Sequence, residues 1–192
     1  MVLWPRTMNA LPYGIFVCAK YEIDGFANMG LTHLLSLEDP QTPKATPAWF
    51  KGNHLQLQFH DVESPREAEA VRAQVPTHEH VVEILRMGER CLALPAEARV
   101  RLLVHCYAGA SRSPAAAYAL ICQALKQAKA EEALRLVLQR RPEAFPNALV
   151  VRHADSLLGR KGEMLRALAP LRARFNQLVD DWIAHRKQDE DP

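Results

Sequence analysis

Short apolar segments alternate with stretches of helical periodicity along most of this chain. Residues 14–19, 31–37 and 100–105 are apolar runs of strand length, and residues 55–61 alternate apolar and polar positions as a half-buried strand does. The stretches between and after these segments carry apolar residues at helical spacing. Strands that alternate with helices predict an α/β fold, with a small, mostly parallel sheet flanked by helices.

Several helix boundaries can also be predicted. Ser64, Pro65 and Glu67 match the N-cap, first and capping-box positions of one helix, and Thr77 is a suitable N-cap for another. Further helices are predicted over 114–127, 131–140 and 147–158. The proline-containing stretch 39–53 is predicted to be a loop rather than a linker between domains.

An apolar stripe at helical spacing marks the C-terminal part of the chain, formed by Leu171, Phe175, Leu178, Val179 and Trp182. We expect 161–187 to be a helix that docks on the rest of the domain, although the same stripe could pair with a second chain. Residues 188–192 are expected to be a frayed tail.

Length, composition and charge bound the class of protein. The 192 residues are 48% hydrophobic and 24% charged, which fits one globular domain over 1–192 with its core at about 12–160. A net charge of +2 argues against a large nucleic-acid footprint, and no apolar run is long enough to cross a membrane. We expect neither nucleic acid nor membrane as a partner, and we favour a monomer.

Four cysteines, Cys18, Cys91, Cys106 and Cys122, show neither disulfide nor metal spacing. The first residues, Met1–Arg6, lack the basic start and long apolar core of a signal peptide. We therefore expect a cytoplasmic protein without structural disulfides. Cys18 and Cys91 could form a protective disulfide with Cys106, but small buried apolar residues are the simpler interpretation.

No metal site is expected. His78 and His80 flank Glu79, but two histidines at this spacing point to different faces of a helix, whereas a helical zinc site needs the i, i+4 spacing.

Residues 105–114, His-Cys-Tyr-Ala-Gly-Ala-Ser-Arg-Ser-Pro, carry the strongest chemical signal. A strand precedes this segment and an alanine-rich helix follows it. Such a loop gathers backbone N–H groups and the positive end of a helix dipole around one point, where an anion binds. Cys106 lies in the same field, which stabilises a thiolate.

The residue types in this loop fit phosphoryl transfer to sulfur and then to water. Cys106 would be the nucleophile, and the planar fork of Arg112 would bind two oxygens of a tetrahedral anion. Gly109 allows a tight turn. Ser113 is placed to hydrogen-bond the sulfur and help it leave, and His105 is expected to set the shape of the loop by hydrogen bonds.

This segment resembles the Cys-x5-Arg-Ser/Thr signature of the cysteine-dependent protein tyrosine phosphatases, and most of all their dual-specificity branch. The stretch 30–37, Gly-Leu-Thr-His-Leu-Leu-Ser-Leu, is similar to a strand of that branch. The resemblance implies the phosphotyrosine protein phosphatase II-like fold, metal-independent hydrolysis through a phosphocysteine, and no cofactor. It also implies a phosphate-binding loop formed by Tyr107, Ala108, Gly109, Ala110, Ser111 and Arg112.

The family supplies a general acid from an Asp on a separate upstream loop. Asp61 matches this position at the end of a predicted strand, and it would later act as the base for the hydrolytic water. Glu63 is the substitute candidate, and capping or solvent exposure is the alternative interpretation of Asp61.

The pairs Arg141-Pro142 and Pro146-Asn147 resemble a downstream region that packs against the phosphate loop. Asn147 is expected either to support that loop or to cap a helix.

Asp155 is a weaker candidate for the same supporting role. The loop carries no added positive charge, which favours protein phosphotyrosine or a small phosphomonoester over polyphosphorylated lipids, with phosphoserine and phosphothreonine left open. A binding-only pseudophosphatase is the rival interpretation. Sulfur transfer fits less well, because the enzymes that perform it lack the Ser-Arg-Ser pattern after the glycine. Arsenate reduction fits less well, because the loop lies in the middle of the chain and no resolving thiol is evident from the cysteine spacing.

Overall fold

A computed structural model describes residues 11–189, excluding the side chains of Pro65, Glu67, Val71, Val179, Asp180 and 182–189, and it places four parallel strands among helices. The strands are β1 (Gly14–Ala19), β2 (His33–Glu38), β3 (Asn53–Gln58) and β4 (Arg101–Cys106), in the order β1-β4-β2-β3. The helices are α1 (Pro65–Val71), α2 (His78–Ala93), α3 (Arg112–Ala124), α4 (Ala130–Arg140), α5 (Ala148–Leu157) and α6 (Glu163–Asp189). The predicted α/β class and parallel sheet are confirmed.

β4 lies inside the sheet and carries Cys106 as its last residue. It pairs with β1 on one side and β2 on the other, and every residue from Leu102 to Cys106 is buried. Both faces are covered, since helices pack on one face, while the 3-10 helix Lys20–Phe26 and nearby loops cover the other. Because all four strands are parallel, the residues that follow β2, β3 and β4 meet at one edge of the sheet.

α3 is buried around its whole circumference from Arg112 to Gln123. It packs against β1, β4, α2, α4 and α5. A helix that is apolar on every side belongs in a core, and the small side chains of Ala115, Ala116 and Ala117 let its neighbours approach closely. The N-terminus of this central helix is therefore fixed at the end of β4.

Several predicted element boundaries shift in the structure, including the end of the helix predicted over 114–127, which is Ala124. β3 runs from Asn53 to Gln58 rather than over 55–61, because the amide of His60 turns away from the sheet and donates to the carbonyl of Gln74. α3 begins at Arg112 rather than Pro114, since the amide of Ala115 already donates to the carbonyl of Ser111.

The chain between β2 and β3 is a loop without helix or strand, as the prolines of 39–53 predict, and part of it lies beside β3. The side chains of Gln56 and Gln58 both donate to the carbonyl of Thr42, at 2.9 and 2.5 Å. Lys44 donates to the carbonyl of His54 at 3.1 Å. Side-chain hydrogen bonds, rather than a further strand, therefore attach this loop to the sheet.

Among the described residues, α6 docks on the domain through its N-terminal half, from Met164 to Phe175. Met164 and Leu168 are buried and Leu171 packs on the core, whereas Phe175 and Leu178 are exposed. The expectation that the whole stripe docks is corrected for Leu178, which is 58% exposed, whereas the partly exposed ring of Phe175 lies against the ring of Phe145. The side chains of Val179 and Trp182, the segment Met1–Arg6 and the last three residues of the predicted tail lie outside the described part of the chain, while residues 188 and 189 are helical.

Candidate active site

The segment between β4 and α3 forms a tight loop at the end of β4, which carries Cys106. Gly109 has a φ of +69°, and a Cβ at this position would lie 2.6 Å from the amide nitrogen of Ala19 and 2.7 Å from the carbonyl carbon of Cys18. These are backbone atoms at the end of β1, which cannot move aside. Only glycine fits here, as the sequence predicts.

Cys106 and Ser113 face each other across this loop. The sulfur of Cys106 lies 3.2 Å from the hydroxyl oxygen of Ser113, and both residues are buried. The pair therefore has the geometry of an S–O hydrogen bond, which the sequence predicts from spacing alone.

Arg112 is buried at the first position of α3, and its guanidinium is anchored on the side away from the helix. Nη1 donates to Oδ1 of Asp39 at 2.7 Å and to the carbonyl of Phe59 at 2.8 Å. Its Nε is buried without a hydrogen-bond partner among residues 11–189. The structure thus fixes one corner of the guanidinium and leaves a buried N–H donor for an acceptor such as an anion oxygen.

Asp39 is a site residue that the sequence analysis misses. It directly follows β2, so the one available signal is its position at the carboxyl end of a strand beside the nucleophile strand. Its side chain is half exposed, while its partner Arg112 is almost fully buried.

Asp61 lies on the loop between β3 and α1, facing the phosphate-binding segment. Its Oδ1 accepts hydrogen bonds from the hydroxyl of Ser111 at 2.6 Å and from Nδ2 of Asn147 at 2.9 Å. Ser111 precedes α3 but does not cap it with its side chain, which points to Asp61 instead. The structure therefore brings the predicted acid to the predicted loop.

Asn147 both caps a helix and contacts the phosphate loop, the two roles that the sequence leaves as alternatives, but it contacts the loop through its backbone. Its Oδ1 caps α5 by accepting from the amides of Leu149 and Val150, each at 3.1 Å. Its Nδ2 donates to Asp61 and to the carbonyl of Val62, rather than to the phosphate loop itself. The contact with the loop is made by the backbone N–H of Asn147, which donates to the carbonyl of Ser111 at 3.2 Å.

Glu63 is held away from the loop by a different set of partners. Its carboxylate is paired with Arg172 of α6 and accepts from the amide of Ala148 at 2.9 Å. Burial opposes ionisation, but these hydrogen bonds and the Arg172 charge lower the pKa of the Glu63 carboxyl overall. A carboxylate held ionised in this way is a poor substitute acid, which corrects the second choice made from sequence.

Asp155 also has a structural role instead of the expected one. Its two oxygens accept from the amides of Gly162 at 2.6 Å and Met164 at 2.9 Å. Asp155 therefore ties the turn between α5 and α6, far along the chain from the loop it was expected to support.

His105 binds the neighbouring strand rather than the loop. Its Nε2 lies 2.5 Å from the hydroxyl of Ser36 on β2, and its Nδ1 is buried without a partner in the described chain. Burial, with the charges of His54 and Lys20, lowers the pKa of His105 to about 4. The imidazole is neutral at pH 7, and the expectation that it shapes the loop by its own hydrogen bonds is corrected.

None of the other cysteines forms a disulfide with Cys106. Ala19 on β1 is the register partner of Cys106 on β4. Cys18 precedes Ala19, so its side chain points to the opposite face of the sheet, where it packs in the smaller of two apolar clusters. Cys91 lies on α2, where burial raises the pKa of its thiol to about 11. Burial likewise raises the pKa of Cys18 to about 12. These properties match small buried residues and not a resolving thiol.

An open cleft of about 490 Å³ lies in front of the loop. Its walls come from the loops after β2, β3 and β4, from the segment after α1 and from the start of α3. They consist of Asp39, His60, Asp61, Val62, Ala73, Tyr107, Ala108 and Arg112. Tyr107 is 71% exposed at the mouth of the cleft.

The histidines that resemble a metal site have other contacts. Nδ1 of His80 accepts from the amide of Thr77 at 3.0 Å, and the ring of His78 lies edge-on to that of His153. Among the side chains that the structure describes, no group of three His, Cys, Asp or Glu could hold a metal ion. None of the described helices combines the length and apolarity needed to cross a bilayer.

Solved structures similar to this one belong to the class that the sequence motif indicates. DUSP15 shares 19% identity at a TM-score of 0.58, over 86% of this chain and 94% of that chain. The Yvh1 phosphatase domain from Chaetomium thermophilum shares 23% identity at a TM-score of 0.52, over 78% of this chain and 93% of that chain. Tk-PTP in the active form shares 21% identity at a TM-score of 0.54, over 82% of this chain and 99% of that chain.

No family model and no curated protein matches the chain. The structural likeness establishes the fold, and the chain has the fold of the dual-specificity protein tyrosine phosphatases, as the signature at 105–114 predicts.

Proposed function

We propose that this protein hydrolyses phosphate monoesters through a phosphocysteine at Cys106. The observation that carries the proposal is the hydrogen bond of 2.6 Å from Ser111 to Asp61, which joins the loop of the nucleophile to a carboxyl group from a distant part of the chain. A nucleophile, an anion-binding loop and an acid around one cleft are the three groups that the reaction requires.

In the first step the phosphoryl group binds the loop amides and Arg112. The Cys106 thiolate attacks phosphorus, the bond from phosphorus to the ester oxygen breaks, and Asp61 donates its proton to that oxygen. Both donors to Asp61 contact Oδ1, so the proton is carried by Oδ2. The loop amides and the guanidinium stabilise the charge that spreads over the three transferring oxygens.

In the second step water attacks the phosphocysteine. Asp61, now a carboxylate, takes a proton from the water, and the bond from phosphorus to sulfur breaks. The thiolate of Cys106 leaves with a hydrogen bond from Ser113, for which the separation of 3.2 Å is suitable. Inorganic phosphate is released and the site returns to its starting state without a cofactor.

The substrate class follows from the loop and the cleft. Residues 107–111 add no positive charge beyond that of Arg112, which suits a singly phosphorylated group. The exposed ring of Tyr107 at the cleft mouth offers an apolar surface to an aromatic or peptide substrate. We propose protein phosphotyrosine as the substrate, ahead of phosphoserine, phosphothreonine and small phosphomonoesters.

A reducing compartment suits this mechanism, because the nucleophilic thiol must stay free and all four cysteines are free here. We accordingly propose a cytoplasmic location.

Hydrolysis of para-nitrophenyl phosphate in the presence of EDTA tests the proposal, with wild type compared with Cys106→Ser and Asp61→Ala. We expect turnover by the wild type, none by Cys106→Ser, and a marked loss in Asp61→Ala. A freshly reduced wild type that binds phosphotyrosine peptide without turnover would instead support a pseudophosphatase, the second candidate.

A further inference from the structure

The C-terminal helix α6 reaches the loop that carries Asp61. Nη1 of Arg172 donates to Oε1 of Glu63 at 2.8 Å, and Nη2 donates to Oε2, so the two side chains form a bidentate pair. Both side chains are largely shielded from solvent, at 30% and 27% exposure. Glu63 lies two residues after Asp61 on a loop that has left the sheet, so this pair joins α6 to that loop.

The same guanidinium contacts the segment behind the phosphate loop. Arg172 lies over the ring of Phe145, 4.8 Å from its centroid, and the ring of Phe175 stacks on the same residue at 4.4 Å. The amide of Phe145 donates to the carbonyl of Ala110 in the phosphate loop at 2.6 Å. One side chain of α6 therefore touches both the acid loop and the flank of the phosphate loop.

We propose that Arg172 is a positioning residue that holds the acid loop where Asp61 can protonate the leaving oxygen. This inference rests on the proposed phosphatase activity. Asn147 fixes the Asp61 end of the loop, and Arg172 fixes the Glu63 end. A bidentate arginine–carboxylate pair fixes orientation as well as distance, which a single ammonium does not. Small displacements of a catalytic group cost large factors in rate.

The expected signature is a loss of activity that depends on the leaving group. A poor leaving group such as phenolate needs the proton from Asp61, whereas 2,4-dinitrophenolate leaves without it. Arg172→Ala should lower kcat/KM about tenfold on phenyl phosphate and less than about twofold on 2,4-dinitrophenyl phosphate. The comparison uses kcat/KM because this ratio reports the steps up to formation of the phosphocysteine, whereas kcat also includes the second step, in which Asp61 acts as the base for both substrates.

Three further variants separate positioning from general damage. Glu63→Gln removes the charge of the other partner and should reproduce the pattern of Arg172→Ala. Arg172→Lys keeps the charge without the fork and should recover only part of the activity. Arg174→Ala, an exposed position on the same helix, is the matched control and should behave as wild type on both substrates.

A double variant completes the test. In an Asp61→Ala background, Arg172→Ala should have no further effect on phenyl phosphate, since the group it positions is gone. Equal losses of kcat/KM on both substrates, or additive losses in the double variant, would overturn the positioning role while leaving the phosphatase activity intact. If Arg172→Ala does not fold, Glu63→Gln carries the test. A wild type without hydrolysis of either ester would overturn the proposed function and this inference with it.

Discussion

Nδ2 of Asn147 donates a hydrogen bond of 2.9 Å to Oδ1 of Asp61. The amide group of a helix-capping residue thereby orients the carboxyl group of the proposed acid. Since Asn147 binds α5 through its oxygen and Asp61 through its nitrogen, the start of α5 and the acid loop are linked by one side chain.

Asn147→Ala should lower both stability and activity, for separate reasons. Loss of the N-cap costs about 1 kcal/mol of the free energy of unfolding. Loss of the contact with Asp61 should lower kcat on phenyl phosphate about tenfold. Asn147→Ser separates the two effects, because serine can cap the helix but is too short to reach Asp61. Urea unfolding and steady-state kinetics measure them, and full activity in Asn147→Ser would contradict the positioning role.

Ser113→Ala should slow the second chemical step more than the first. The hydroxyl lies 3.2 Å from the Cys106 sulfur, where it stabilises the departing thiolate. With para-nitrophenyl phosphate we expect a rapid burst of about one nitrophenolate per active site, followed by turnover about tenfold slower than wild type. Stopped-flow absorbance detects the burst. Unchanged turnover without a burst would show that the hydroxyl does not assist this step.

Gly109→Ala should disrupt the phosphate loop. A left-handed conformation costs about 1–2 kcal/mol for a residue with a Cβ. The new methyl would also overlap the backbone of Cys18 and Ala19. We expect a lower melting temperature and a loss of about 100-fold in kcat/KM, because the loop must shift relative to Cys106. Gly25→Ala, where no atom lies within 4 Å of the added Cβ, is the control and should leave both values unchanged.

The contiguous part of the site could be predicted from sequence, and the part built across elements could not. Strand, loop and helix follow one another at 100–124, so Cys106, Gly109, Arg112 and Ser113 come with their own context. Asp61 could be found because a strand pattern changes there into a helix start.

Asp39 and Arg172 carry no such signal. Each is an ordinary polar residue whose partner, Arg112 or Glu63, lies far away in the chain. Their pairing depends on how the strands and α6 pack, which periodicity does not encode. The end of β3 was misplaced for a related reason, since it depends on the hydrogen bond from His60 to Gln74.

His105 should make the protein less stable at mildly acidic pH. The unfolded imidazole binds a proton below its ordinary pKa of 6.5, whereas burial holds the folded pKa at about 4. The unfolded state therefore binds more protons between these values, and the free energy of unfolding falls as pH drops from about 6.5 to about 4. Between pH 7.5 and pH 5 this group accounts for a loss of about 2 kcal/mol.

His105→Gln should remove that part of the pH dependence, because an amide does not titrate. Denaturant unfolding at pH 7.5 and pH 5 gives the difference for each variant. His78→Gln, at a half-exposed position, serves as the control and should keep the wild-type difference. An identical pH dependence in wild type and His105→Gln would rule out His105 as its source.

The proline-containing loop after β2 has a consequence for self-association. In the sheet formed by the described residues, β3 is an edge strand, and an uncovered edge is a template for pairing with another chain. The loop occupies this edge through Gln56, Gln58 and Lys44, and its prolines have no N–H to extend a ladder. A loop attached to β3 by side chains, without itself becoming a strand, leaves less room for a second chain to pair with this edge.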